Sequence, residues 1–186
     1  MCCSRWARMF SEPSLHRMKI LVVDDDRMTV TLLEQVLQRH GYNRVLGITD
    51  SRRTLDTCAS FDPDLILLDL IMPEMDGFAV LEALRSDASE RFLPIVVLTG
   101  DISEEAKARA LDAGASDFLV KPVSQTEALL RIRNLLEARR LNVVLRNQRA
   151  ALEDAVRERT AELRGTIAEL QAVNQRPHSS SALSGV

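Results

Sequence analysis

The sequence predicts an α/β protein, a doubly wound parallel sheet built from alternating strands and helices, followed by a long C-terminal helix. Three observations lead there. Between Lys19 and Val123, five short aliphatic runs are separated by amphipathic stretches that carry their own start and stop residues. The runs do not alternate apolar with polar, as suits strands covered on both faces. From Ser124 onward, no Gly interrupts the chain before Gly165 and no Pro before Pro177.

The strand candidates are Ile20–Val23, Val45–Ile48, Leu65–Leu68, Ile95–Leu98 and Phe118–Val120. After the first, Asp26 can cap a helix bearing Val30, Leu33 and Leu37, and Gly41 can end it. Asp76 can cap Phe78–Leu84, and Gly114 can close a helix running through Ala106, Ala110 and Leu111. Ser124-Gln125-Thr126-Glu127 reads as a capping box, in which serine and glutamate side chains satisfy each other's amides. Five strands alternating with five helices give right-handed crossovers and a sheet with helices on both faces.

The last helix would run from Ser124 to about Gln175, roughly 75 Å at 1.5 Å per residue. Its apolar residues recur at spacings of three and four, from Leu129, Ile132 and Leu136 through Val143 to Leu152, Val156, Leu163, Ile167 and Leu170. A small domain cannot bury so long a stripe, so residues 137–175 are expected to pair as a coiled coil, making the protein a homodimer. The heptad is imperfect: its register slips between Val143 and Val156, and Arg159 and Thr166 fall near the seam. Residues 1–17 lack any period and are expected to be a disordered leader, and the Ser-rich residues 176–186 a disordered tail.

Composition narrows the function classes. The 186 residues are 46% hydrophobic and 27% charged, with net charge −3. That balance gives no reason to expect nucleic acid as the main partner. The longest apolar run, Leu65 to Met72, is broken by Asp69 and is too short to span a bilayer. Cys2, Cys3 and Cys58 are odd in number and lack metal-ligand spacing, which fits a reduced, cytoplasmic setting. No continuous apolar stretch follows the first positive charges, so a secretory signal is not expected.

The polar residues that follow the apolar runs form a coherent set. Asp24, Asp25 and Asp26 follow the first strand, Asp69 ends the third, Thr99 the fourth and Lys121 the fifth. In open α/β sheets these strand ends line the ligand crevice. Carboxylates gathered at one point repel unless a cation joins them, and hard oxygen donors suit Mg²⁺. A lysine adds a mobile positive charge and a threonine a hydroxyl donor, so the set can stabilise a phosphoryl group in transfer, with a carboxylate as covalent acceptor.

The motifs that carry this set resemble the response-regulator receiver family of two-component signalling. They are Ile20-Leu21-Val22-Val23-Asp24-Asp25-Asp26, Leu67-Leu68-Asp69-Leu70-Ile71-Met72-Pro73-Glu74-Met75-Asp76-Gly77, Val97-Leu98-Thr99-Gly100 and Phe118-Leu119-Val120-Lys121-Pro122. The resemblance implies a flavodoxin-like sheet of order 2-1-3-4-5 and a receiver domain over residues 18–136. It implies that Asp69 accepts phosphate from a histidine kinase or a phosphotransfer protein. Asp24, Asp25, Asp69 and the backbone carbonyl of Ile71 would serve the Mg²⁺ site. Lys121 would pair with a phosphate oxygen, its bond to Pro122 being cis as in the family. Thr99 would move to bond the new phosphate, Phe118 would turn inward as the switch aromatic, and Gly100 would leave room beside it. Asp26 is read as a helix cap first. Ile71, apolar where some members carry a polar residue, would shield the acyl phosphate from water.

Each residue also has a bland reading. Asp69 alone would be a turn residue, Thr99 a strand terminus, Lys121 a solvated charge and Phe118 core; only the constellation reverses these. Cys58 reads as half-buried packing. The cluster Arg131, Arg133, Arg139, Arg140, Arg146 and Arg149 reads first as a solvated helix face, with a docking stripe for an acidic partner or nucleic acid as the alternative. Two other functions compete with the signalling switch. A phosphohydrolase resembling the haloacid dehalogenases would need a second Asp at the position of Ile71. An interaction module would work without phosphorylation. The C-terminal helix also resembles linkers of regulators with cyclic-dinucleotide output domains, for which the three scattered histidines offer no ligand cluster; the chain is expected either to pass its output through an unknown downstream partner or to be the truncated receiver part of a cyclic-dinucleotide phosphodiesterase regulator.

Overall fold

The structure, a computed structural model, describes residues 12–73, 76–87, 92–100 and 103–174. The strands β1 (Lys19–Val23), β2 (Arg44–Ile48), β3 (Leu65–Asp69), β4 (Ile95–Thr99) and β5 (Asp117–Val120) form one parallel sheet in the order β2-β1-β3-β4-β5. They alternate with α1 (Arg27–Arg39), α2 (Thr54–Phe61), α3 (Gly77–Asp87), α4 (Glu104–Asp112) and α5 (Gln125–Asn174). The predicted fold class, strand order and long last helix are all present.

The unbroken aliphatic runs have their cause in two separate cores. Ile20, Val22, Leu65, Leu67, Val96 and Leu98 point to the face covered by α1 and α5, against Leu33, Leu37, Ile132 and Leu136. Their neighbours Leu21, Val23, Ile66, Leu68, Ile95 and Val97 point to the other face, against Val80, Leu81 and Leu84 of α3. Successive strand residues face opposite ways, so covering both faces requires every position to be apolar. Each large side chain so buried contributes about 1.5–3 kcal/mol.

Helix ends follow the sequence in most places. Asp26 caps α1 by accepting from the amides of Met28 and Thr29, and Asp76 accepts from Phe78 N at 3.1 Å. Gly41 and Gly114 take positive φ of 89° and 100° after α1 and α4, a conformation that favours glycine. The capping box at Ser124 does not form. Ala128 N donates to the Ser124 carbonyl, while the Glu127 carboxylate is drawn forward to Arg131 (2.9 and 2.7 Å). A charge-assisted pair one turn along the helix outcompetes the backward reach to an amide.

Of the expected leader, residues 1–11 lie outside the described residues. Glu12–Arg17 form a 3₁₀ turn whose Leu15 is buried in the first core, and His16 meets Tyr42 edge-on at 5.6 Å. Order thus begins before Met18, because Leu15 fills a gap that the helices leave open. The expected tail, 176–186, also lies outside the described residues.

By its contacts the chain divides after Asn142. The first unit extends past Leu136 because Arg139 is itself buried, donating to the Phe92 carbonyl at 2.7 Å with Asp64 at 3.7 Å. The basic cluster is therefore not uniformly a solvated face: Arg131 and Arg140 are held in ion pairs and Arg139 is internal. The second unit, from Val143, is described through Asn174 as helix, and its large apolar side chains are exposed. Among the described residues no helix is long and apolar enough to cross a membrane.

Candidate functional site

The strand order reverses at β1, whose neighbours are β2 on one side and β3 on the other. Strands diverging to both sides leave a crevice above their carboxyl ends. Parallel register places the polar ends side by side there: Val23 pairs with Leu68, Asp69 with Leu98 and Thr99 with Val120. The next residue along β1 is Asp24, and the next along β5 is Lys121. Residues almost a hundred positions apart in sequence thus converge because each ends a strand of one sheet.

Asp24 and Asp69 are buried at the floor of this crevice and Asp25 is exposed at its rim. One carboxylate oxygen from each lies within 4.8 Å of the others. Lys121 Nζ stands between two of them, 2.7 Å from Asp24 Oδ2 and 2.9 Å from Asp69 Oδ2. Both contacts are close and charge-assisted, so Lys121 is the partner of Asp24 Oδ2 as well as of Asp69 Oδ2. Asp24 Oδ1 accepts from Asp26 N (2.9 Å) and Asp69 Oδ1 from Ile71 N (3.3 Å).

Burial pushes the Asp24 carboxyl above the ordinary carboxylate range, and the neighbouring Asp69 adds to it, although Lys121 and the Asp26 amide oppose them. Burial also works against the Lys121 ammonium, but its bonds to Asp24 and Asp69 prevail and raise it. Lys121 is therefore charged and compensates part of the acidic cluster. The Asp26 carboxylate is lowered by Thr29 and the Met28 amide, in keeping with its cap.

Thr99 is buried at the end of β4, and its carbonyl accepts from Lys121 N at 2.8 Å. The bond between Lys121 and Pro122 is cis. Phe118 is half-buried on β5, its ring flanked by Lys107 of α4 at 5.4 Å and the Arg131 guanidinium of α5 at 5.7 Å. Arg131 is anchored in turn by Asp117 and Glu127. Ile71 lies exposed beside the crevice and lines a cleft of about 500 Å³ with Leu70, Met72, Phe78, Thr99 and Arg109. The space beside Gly100 is open: a Cβ there would meet no heavy atom within 4 Å.

Two supports went unread in the sequence. A Cβ on Gly77 would lie 2.3 Å from the Asp69 carbonyl oxygen and 2.6 Å from Leu70 Cα, so the start of α3 touches the backbone of Asp69 itself. Asp76 reads in the sequence as a cap; the approach of Gly77 to the strand end appears only once the loop between β3 and α3 has folded back. Arg85 reaches from α3 to the Gly114 carbonyl (2.7 Å), the Leu93 carbonyl (2.8 Å) and Ser116 Oγ (3.4 Å). It ties the approach to β4 to the approach to β5.

The donor set fits a small hard cation: three carboxylates with oxygens within 4.8 Å of one another, and no soft ligand among them. Comparisons with known proteins agree with this geometry. A family model described as the response regulator receiver domain matches residues 20–134. The chain is 45% identical over 118 residues to the response regulator MprA of Mycolicibacterium vanbaalenii, covering 63% of this chain and 50% of that one. To MprA of Mycobacterium avium it is 44% identical over 119 residues, 64% of this chain and 51% of that one. The chain thus spans about half the length of the curated relatives it matches. Among solved structures, the receiver domain of the Francisella response regulator 1452 superposes with TM-score 0.61 at 28% identity, covering 66% of this chain and 98% of that one. The Vibrio cholerae chemotaxis protein CheY4 gives TM-score 0.60 at 32% identity, over 64% and 98%. With the family model matching most of the chain and solved receivers sharing its fold, the chain belongs to the response regulator receiver family of two-component signalling.

Proposed function

We propose that Asp69 is the phosphoacceptor of this chain, receiving its phosphoryl group from a histidine kinase or a phosphotransfer protein in a Mg²⁺-dependent reaction. The observation that carries the reading is Lys121 Nζ poised between Asp24 and Asp69 where three carboxylates converge. One oxygen of Asp69 attacks phosphorus, the phosphohistidine P–N bond breaks, and the imidazole nitrogen keeps the electron pair. Bound Mg²⁺ would supply charge neutralisation for the phosphoryl oxygens, held by Asp24, Asp25, Asp69 and the Ile71 carbonyl. Lys121 exchanges part of its carboxylate pairing for a phosphate oxygen, and Thr99 offers its hydroxyl.

The same residues suggest how the signal leaves the pocket. Phe118 is half-buried against the second core, with a cation of α4 and one of α5 beside its ring. If Thr99 is drawn to the phosphate, the ring can turn into the space it vacates. It then gives up contacts worth about 0.5–1 kcal/mol each at exposed sites. That change falls on α4, β5 and α5, the face offered to a downstream partner. Homodimer formation through the helix from Val143 onward and a cytoplasmic setting complete the reading; no catalytic output is assigned to the chain. Ile71 at the second position past Asp69 argues against a hydrolase, which would need an acid there.

Acetyl phosphate with Mg²⁺, followed by intact mass, tests the chemistry. Wild type should gain one phosphoryl mass and Asp69→Asn none. A variant that still gains it, or a wild type that never does, removes Asp69 from this role.

A further inference from the structure

The helix from Val143 onward carries an apolar stripe that heptads describe poorly. Leu145, Leu152, Val156, Leu163 and Leu170 fit a seven-residue seam, but that seam encloses Arg149, Arg159 and Thr166 and leaves Ile167 outside. An eleven-residue period does better. Leu141, Leu152 and Leu163 recur at eleven, and Leu145, Val156 and Ile167 recur at eleven four positions behind them. Ile167 then joins the stripe and Arg149 moves to its flank. At about 100° per residue, eleven residues run about 20° past three turns, whereas seven fall about 20° short of two. The two periods therefore predict supercoils of opposite hand.

We propose that this helix pairs with a second copy of the chain in parallel and in register, along an eleven-residue seam with a right-handed or nearly straight supercoil. The inference rests on the homodimer reading above and specifies its geometry. In the single chain Leu145, Leu152, Val156, Leu163, Ile167 and Leu170 are 53–65% exposed, a concentration of large apolar residues along one helix. Charge identifies the occupant. Between Val143 and Gln171 there are five arginines and five acidic residues, so the segment is neutral. Arg149–Glu153, Arg157–Asp154 and Arg159–Glu162 already neutralise one another within the helix. A strongly acidic or basic partner gains nothing from such a surface, and a second copy meets no net repulsion. Two helices also share a seam over several turns only if their periods agree, which an identical chain guarantees. Arg159 stays at the edge of the seam, a polar layer of the kind that fixes register at some loss of affinity.

Sedimentation of the full chain, with and without acetyl phosphate and Mg²⁺, tests the pairing. Circular dichroism should show that helicity is kept in each variant. Leu163→Glu, inside the seam under either period, should weaken dimerisation at least a hundredfold. Ile167→Asn should weaken it at least tenfold, and Arg149→Leu should change it less than twofold. With Cys2, Cys3 and Cys58 replaced by Ser, Leu145→Cys and Ile167→Cys should each form a disulfide with their own copy. If only a mixture of the two cross-links, the strands are antiparallel and the proposed geometry is wrong. If Ile167→Asn is neutral while Arg149→Leu tightens a dimer that Leu163→Glu abolishes, the seam is heptad and only the eleven-residue proposal fails. A chain that is monomeric in all conditions, with Leu163→Glu silent, removes the homodimer reading as well.

Discussion

Gly77 offers the sharpest test of how Asp69 is held. A Cβ built there lies 2.3 Å from the Asp69 carbonyl oxygen and 2.6 Å from Leu70 Cα, where real contacts essentially never fall below 3.0 Å. In Gly77→Ala the backbone of residues 69 and 70, or the first turn of α3, must retreat by about 0.7 Å, and Gly77 N must loosen its 3.1 Å bond to the Leu70 carbonyl. Overpacking of this kind costs about 1–3 kcal/mol. Because the strained atoms belong to Asp69 and its neighbour Leu70, the Asp69 carboxylate shifts against Lys121 and the other carboxylates. A misplacement approaching 1 Å costs up to about a hundredfold in a positioned reaction, so phosphorylation should slow by roughly tenfold to a hundredfold. Urea denaturation measures the first effect and the rate of mass gain from acetyl phosphate the second. Gly100→Ala is the internal control for stability, since nothing lies within 4 Å of its Cβ position. A Gly77→Ala protein with wild-type stability and a rate within twofold of wild type would refute the close-approach account.

Three further outcomes follow from the geometry. The Asp24 carboxyl is raised by burial, so without metal its contribution to stability is present below the unfolded value near 3.8 and is lost as pH rises through the folded value. The stability of wild type relative to Asp24→Asn should therefore fall between strongly acid and neutral pH, as read by denaturation at each pH; a constant difference contradicts the assignment. Arg85→Ala leaves the Gly114 and Leu93 carbonyls without their donor and should cost about 2–4 kcal/mol by urea denaturation, a loss that Lys, lacking the fork, does not restore. Ile71→Asn should speed loss of phosphate from Asp69 severalfold, measured by mass after removal of the donor; an unchanged decay would show that the exposed isoleucine does not screen the phosphate from water.

Sequence alone determined what repeats or recurs along the chain. Aliphatic runs marked five strands because a sheet buried on both faces tolerates no alternation, and Asp26, Gly41 and Gly114 marked helix ends because caps and positive φ are local demands. The site residues were legible for the same reason: each of Asp24, Asp69, Thr99 and Lys121 directly follows or ends an apolar run, and the strand order carries such positions to one crevice. Tertiary structure alone decided what depends on approach across the fold. Gly77 against the Asp69 backbone depends on how one loop folds back, whereas Arg85 reaching Gly114, buried Arg139, and Leu15 in the first core depend on partners distant in sequence. The capping box at Ser124 failed on a similar point, since a guanidinium one turn ahead competes better for Glu127 than an amide behind it. Periodicity is written in one dimension, whereas a close contact between distant segments exists only after the sheet has brought them together.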